Sequence, residues 1–160
     1  MPWIPVVLTA AVLIFLYQNQ QSCNVKLGKY YTLAELTNTS QPFNNTPTPE
    51  ACQNLKHLVS NVLDPLRERV GPVIITSGYR SPEVNAAVGG ASSSQHMSGN
   101  AVDVRGVTAS NEDIVEALRQ LPVDQVITYY DSGHVHISSK SSGNRGEFLY
   151  KGSEGYEWMA

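Results

Sequence analysis

Residues 94–103, SQHMSGNAVD, run from a polar loop into a short apolar strand and end on a carboxylate. A second stretch, HVH at 134–136, opens another short strand, so these two places hold three of the chain's four histidines. Successive side chains of a strand point to opposite faces of a sheet. Asp103 is therefore expected on a polar face with its valine neighbours on the core face. His134 and His136 are likewise expected to share a polar face.

Two imidazoles and one carboxylate form a ligand set typical of a catalytic zinc site. If the two strands are neighbours, Asp103 and His136 converge on one point, and His96 reaches that point from the loop. Three protein ligands leave the fourth tetrahedral position of Zn²⁺ open for water, and Gly99 permits the turn between loop and strand. The sequence therefore predicts a Zn²⁺ site at His96, Asp103 and His136. Each residue alone also has an ordinary structural explanation, such as a pair between Asp103 and an arginine.

The remaining pattern favours an α+β fold. Thr48, Pro49 and Glu50 supply a cap, a first-turn proline and an acidic residue for an amphipathic helix to about Val70. Further strands and helices are too irregular in order for a doubly wound sheet. Strands are predicted at 73–76, 101–104, 125–129 and 134–138, and helices at 82–88 and 110–121. We expect a small, largely antiparallel sheet that carries the zinc site and packs against helices.

Length and charge limit the possible functions. The chain has 160 residues, 41% hydrophobic and 16% charged, which suits one globular domain. A net charge of −3 without a basic stripe argues against nucleic acid as a partner. We divide the chain into an apolar segment and linker (1–26), a catalytic domain (27–150) and a C-terminal tail (151–160), and expect a monomer.

The apolar segment predicts attachment to a membrane or export. Residues 2–17 carry no charged side chain, but they are fewer than the roughly 20 residues that span a bilayer. They have no basic flank and no clear cleavage site, so we expect an uncleaved anchor, with a cleaved signal or a buried helix as alternatives. Cys52 is expected to be an unpaired buried residue, with a bridge to Cys23 as the alternative.

The combined motif is similar to that of a known enzyme family. Ser-x-His-x-x-Gly-x-Ala-x-Asp with a His-x-His strand resembles the zinc D-alanyl-D-alanine carboxypeptidases and related murein endopeptidases, phage lysis enzymes included. The resemblance covers about 27–148 and extends through KLGKYYTLAEL, PEACQNLKHLVSNVLDPLRERVG, ITSGYRSPEVNAAVGG and NRGE. It implies His96, Asp103 and His136 as Zn²⁺ ligands and a peptide bond of peptidoglycan as the substrate. It also implies a location in the cell envelope, with a host or a phage origin open.

The resemblance also implies a catalytic base near the last ligand and places Arg80 at the site. His134 is the preferred base, because it lies two residues from His136 on the same strand face, and Asp131 is the rival. The planar cation of Arg80 suits a substrate carboxylate or a developing oxyanion, or else pairs with an acid of the fold. Ser94 and Gln95 either bind substrate or shape the loop.

Other functions remain open at this point. The first alternative is a zinc-binding cell-wall module without catalysis, as in the hedgehog signalling domains, which share this zinc fold. The second is an envelope protein whose histidines are only structural. The motif does not encode whether the enzyme acts as a carboxypeptidase or an endopeptidase, or which bond it cleaves.

Overall fold

A computed structural model describes residues 26–129 and 133–159, which form one sheet and a layer of helices. The helices are Leu33–Thr37 (α1), Pro49–Leu58 (α2), Asp64–Val70 (α3), Pro82–Ala87 (α4) and Asn111–Leu118 (α5). The strands are Val73–Ser77 (β1), Ala101–Gly106 (β2), Gln125–Tyr129 (β3), Val135–Ser138 (β4), Glu147–Gly152 (β5) and Gly155–Trp158 (β6). The expected α+β class is confirmed.

The six strands lie in the order β1-β2-β4-β3-β5-β6. Every neighbouring pair is antiparallel except β3 with β5, which is parallel. The order places β4 between β2 and β3, so the strand with His136 lies directly beside the strand with Asp103. This adjacency meets the condition on which the predicted metal site depended.

The long helical stretch is interrupted near its middle. Thr48 caps α2 by accepting a hydrogen bond from the Ala51 amide, as the sequence predicts. The segment Val59–Leu63 then winds as a π-helix before α3 begins. Pro65 has no amide hydrogen to bond the preceding turn, and prolines and π-bulges are each recognised causes of such irregularities in helices. The sequence prediction of one regular helix overlooked this proline.

The helices pack against one face of the sheet, and the polar side chains of the predicted metal site lie on the other face. The buried strand residues that join the helices in the core are Val102, Val104, Val126, Val135 and Ile137. These alternate in sequence with Asp103, Ile127 and His136. Strand alternation has thus separated the two faces as the pattern predicts.

The last two strands differ most from the sequence expectation. Residues 151–160 were expected to form a tail, yet 151 and 152 complete β5, and β6 lies within the same segment. The hairpin turns through Gly155, whose φ is +129°. None of the β5 residues is fully buried, so no apolar alternation marks this strand in the sequence.

Two expectations concern the N-terminal region. The predicted apolar segment lies outside the described residues, and no helix of the described chain is long and apolar enough to cross a membrane. Cys52 is buried on α2 and is disulfide-bonded. The expectation of an unpaired Cys52 is therefore wrong. Cys23, which the alternative named as the partner, lies outside the described residues.

Candidate metal centre

Three side chains converge where β2 and β4 meet the loop before β2. Asp103 and His136 are direct partners across the β2–β4 ladder, and Asp103 Oδ1 is 2.9 Å from His136 Nδ1. His96 Nε2 lies 3.3 Å from each of these two atoms. The structure thus brings together the three residues that the sequence selected as ligands.

The spacing of the three atoms suits a small tetrahedral ion. Ligands bound tetrahedrally to Zn²⁺ at about 2.0–2.1 Å stand about 3.3–3.4 Å apart. The observed separations of 2.9, 3.3 and 3.3 Å are close to this value. Two imidazole nitrogens and one carboxylate oxygen are also the donor types that Zn²⁺ prefers in catalytic sites. The donor set and its geometry therefore both fit zinc.

A backbone carbonyl orients the His96 ring. The Gly78 carbonyl oxygen lies 2.7 Å from His96 Nδ1 and can only accept, so Nδ1 carries the hydrogen and Nε2 is left free as a ligand. Gly78 itself cannot bear a side chain, because a Cβ there would collide with the carbonyl oxygen of Leu36. The tight packing of Gly78 thus keeps its carbonyl in position for His96.

The loop that carries His96 is supported by α2. Gly99 has a φ of +74°, and a Cβ on it would collide with the Ala51 carbonyl oxygen. Asn54 donates a hydrogen bond of 2.8 Å to the Ser98 carbonyl. Gly99 therefore serves the predicted turn, and it also lets the loop approach the helix closely.

Electrostatics keep Asp103 and His136 in the protonation states that a metal requires. Burial opposes ionisation of Asp103, but its hydrogen bonds with His136 and His96 outweigh burial and hold its pKa well below the usual range. Burial lowers the pKa of His136 more than the Asp103 carboxylate raises it. An ionised carboxylate and a neutral imidazole are the forms that coordinate a metal.

Arg80 lies beside the ligands rather than apart from them. Its Nη2 is 2.7 Å from Asp103 Oδ2 and 3.4 Å from His96 Nε2, and its Nε donates to Ser77 Oγ over 2.9 Å. The pairing of Arg80 with Asp103 is the structural alternative that the sequence left open. Because the pair uses Oδ2, the second oxygen of Asp103 still faces both histidines. Ser77 was not among the predicted site residues, although it lies within the ITSGYRS stretch that resembles the family.

His134 lies just before β4 and is half-buried. Its ring stacks on Tyr129 with centroids 4.7 Å apart and an interplanar angle of 25°, and its carbonyl accepts a hydrogen bond from the Tyr129 amide. Strand alternation puts His134 on the face of His136. Tyr129 therefore orients the preferred base. The rival base, Asp131, lies outside the described residues.

The hydrogen bonds of Gln95 and Ser94 are made within the fold and do not by themselves indicate substrate binding. Gln95 donates a hydrogen bond of 3.0 Å to Asp124, a fully buried carboxylate that also pairs with Lys140 and Arg145. The Ser94 carbonyl accepts from the Met97 amide in the loop turn. The loop-shaping alternative thus describes the contacts of both residues. Asp124 was not predicted from the sequence as a buried, paired residue, because its partners are distant in sequence.

A cavity of about 250 Å³ opens beside Arg80. Its walls come from β1, from the segment leading into α4 and from the loop after α1. The lining includes Ser77, Tyr79 and Arg80 together with Asn38, Thr39 and Gln41. Arg80 thus stands between this cavity and the three ligands, where it can contact a molecule bound next to the metal.

Comparison with known proteins agrees with the geometry. Residues 29–138 match the family model described as Peptidase M15, and this span includes α1 to α5, β1 to β4 and all three ligands. A search of curated proteins returned no match to the chain. The match covers more than half of the chain and contains the metal centre, so the chain belongs to the peptidase M15 family of zinc metallopeptidases.

Proposed function

We propose that this protein hydrolyses a peptide bond in the stem peptides or cross-links of peptidoglycan. The observation that carries the proposal is the convergence of His96 Nε2, Asp103 Oδ1 and His136 Nδ1 at zinc spacing. The membership in a metallopeptidase family supports hydrolysis of an amide bond. The choice of peptidoglycan rests on the resemblance of the motif to murein peptidases.

The mechanism assigns a role to each side chain of the site. His96, Asp103 and His136 would hold Zn²⁺, which when bound polarises a scissile carbonyl and lowers the pKa of water to about 7. His134 accepts the proton of the attacking water at a ring nitrogen and delivers it to the leaving amine. Arg80 stabilises the negative charge that develops on the carbonyl oxygen.

The position of Arg80 matches its proposed role. Its guanidinium is tied to Ser77 and Asp103, so its direction is fixed before a substrate arrives. A preorganised cation stabilises developing charge without the cost of reorienting during the reaction. Tyr129 fixes the His134 ring in the same way, through the stacked contact.

We further propose that the enzyme acts in the cell envelope as a monomer. The disulfide at Cys52 supports an oxidising compartment, because cytosolic thiols are kept reduced. The apolar residues 2–17 support export or anchoring. A single chain supplies all the ligands together with Arg80 and His134, so no second copy is needed to complete the site.

Mass spectrometry of defined muropeptides tests the proposed function. The zinc-loaded protein should release a peptide fragment or a terminal amino acid, and a chelator should abolish the release. His134→Ala should slow release by about 10²–10⁴-fold while it retains zinc, whereas His57→Ala on α2 serves as a histidine control with normal activity. Bound zinc without any hydrolysis would instead support the non-catalytic zinc module. Hydrolysis by metal-free Asp103→Ala protein would overturn the mechanism.

A further inference from the structure

The β5–β6 hairpin extends the metal-site face of the sheet beyond the segment that matches the family model. Residues paired directly across neighbouring strands share a face. The strand registers therefore continue two rows of side chains from the metal centre to the sheet edge. One row is Asp103, His136, Ile127, Leu149 and Trp158, and the second is His134, Tyr129, Lys151 and Tyr156.

The second row is linked by side-chain contacts. The His134 ring stacks on Tyr129 at 4.7 Å, and the phenols of Tyr129 and Tyr156 are close enough to interact. Lys151 Nζ lies 4.5 Å from the centre of the Tyr156 ring. Burial, together with the neighbouring Tyr156, raises the pKa of Tyr129, so its phenol stays neutral. A continuous series of contacts thus joins the proposed base to a lysine on the hairpin.

We propose that Lys151, whose direct partners on the neighbouring strands are Tyr129 and Tyr156, binds a carboxylate of the peptide substrate and makes the hairpin a determinant of substrate specificity. The inference rests on the proposed peptidase function and names a subsite of that same centre. Strand β5 lies two strand spacings from β4, about 10 Å away. About three residues of an extended peptide span that distance, so a bound peptide can reach both His136 and Lys151.

Charge on this face favours an anionic group as the occupant. Lys151 has no carboxylate within ion-pair distance among the described residues, and Glu147 on the same strand is paired with Arg145. Arg105, on the Asp103 face of β2, is exposed. Stem peptides carry free carboxylates both at their C-terminus and on their acidic residues. The exposed rings of Tyr156 and Trp158, at 57% and 71%, offer apolar contact beside the cation.

Steady-state kinetics on matched muropeptides test the subsite. Each carboxylate source is examined with a pair of substrates, one with a free carboxylate and one with its amide at that position. Lys151→Met should raise KM about fivefold for the free form, with kcat little changed, because a partly exposed charge pair contributes about 1 kcal/mol. The amide should show no such change, and Lys151→Arg should restore KM. If amidation of one of these carboxylates removes the effect of Lys151→Met on KM, that carboxylate is the group that Lys151 binds.

Two controls separate this inference from the proposed function. Lys56→Met on α2 removes the same charge elsewhere and should leave KM unchanged. Calorimetric binding of the same peptides to zinc-loaded protein should show the same fivefold loss for Lys151→Met, whether or not the wild type hydrolyses them. Absence of hydrolysis by the wild type thus overturns only the proposed function. Equal KM and affinity in wild type and Lys151→Met, or equal losses for free and amidated peptides, would overturn the subsite.

Discussion

Asp103 and His136 face each other directly across the β2–β4 ladder, and the same Asp103 carboxylate binds Arg80 through its other oxygen. One carboxylate therefore joins the metal centre to the cation that faces the cavity. Removal of Asp103 deletes a ligand and leaves Arg80 without its partner. This single substitution should therefore affect both zinc binding and the position of the Arg80 cation.

Asp103→Ala is expected to lose zinc. With only two ligands left, affinity for Zn²⁺ should fall more than about 100-fold, which exceeds the loss typical of a residue that only hydrogen-bonds a metal ligand. Equilibrium dialysis followed by metal analysis measures the change, with circular dichroism to verify the fold. Asp113→Asn in the capping box of α5 is the matched control and should bind zinc normally. Stoichiometric zinc in Asp103→Ala at low free metal would contradict the assigned ligand set.

Arg80→Ala is expected to reduce kcat about 100-fold, because one preorganised donor at a developing oxyanion contributes on that scale. Arg80 also supports Asp103, so zinc affinity should fall by about tenfold, and assays need saturating metal. Arg80→Lys retains the charge but not the planar fork, and should recover only part of the activity. Unchanged kcat in zinc-saturated Arg80→Ala would restrict Arg80 to a structural pair.

The two proposed bases can be distinguished by single substitutions. His134→Ala should lower kcat by about 10²–10⁴ with zinc content unchanged, since proton transfer contributes in this range. Asp131→Asn should then retain nearly full activity. Tyr129→Leu removes the stacked ring and should lower kcat by a smaller factor. The reverse result, with activity lost in Asp131→Asn and kept in His134→Ala, would assign the base to Asp131.

Local patterns were sufficient for the ligands but not for their surroundings. The alternation of polar and apolar side chains in 101–104 and 134–138 placed Asp103 and His136 correctly on one face. The β5–β6 hairpin has no comparable alternation, because its side chains are all partly exposed. The buried Asp124 pairs with residues 16 to 29 positions away. Such contacts depend on strand order, which a sequence without its fold does not specify.

Asp124→Asn is expected to destabilise the protein by about 2 kcal/mol at pH 7. The fully buried carboxylate loses its charge-assisted bonds from Arg145 and Lys140, whose partial exposure moderates the cost. Burial opposes the ionised form of Asp124, but these bonds outweigh burial and keep its pKa well below the usual range. Its contribution is therefore complete above about pH 4 and declines as pH falls further.

Urea unfolding of metal-free protein measures this dependence. The difference in unfolding free energy between wild type and Asp124→Asn should narrow by about 1 kcal/mol between pH 7 and pH 3. Glu112→Gln on the exposed first turn of α5 is the control, with a difference near zero at both values. If the difference in unfolding free energy between wild type and Asp124→Asn is the same at pH 7 and pH 3, the ionised form of Asp124 does not stabilise the protein.

The disulfide at Cys52 offers a test of the compartment that is independent of catalysis. Protein isolated from an oxidising compartment should be lighter, before reduction, by its pair of thiol hydrogens. Since the chain has only two cysteines, a non-reduced digest should link the peptides that contain Cys52 and Cys23. Reduction should lower the stability by about 2–4 kcal/mol, and Cys52→Ser should match the reduced protein. Two free thiols in material from the native envelope would contradict both the bridge and the argument for export that depends on it.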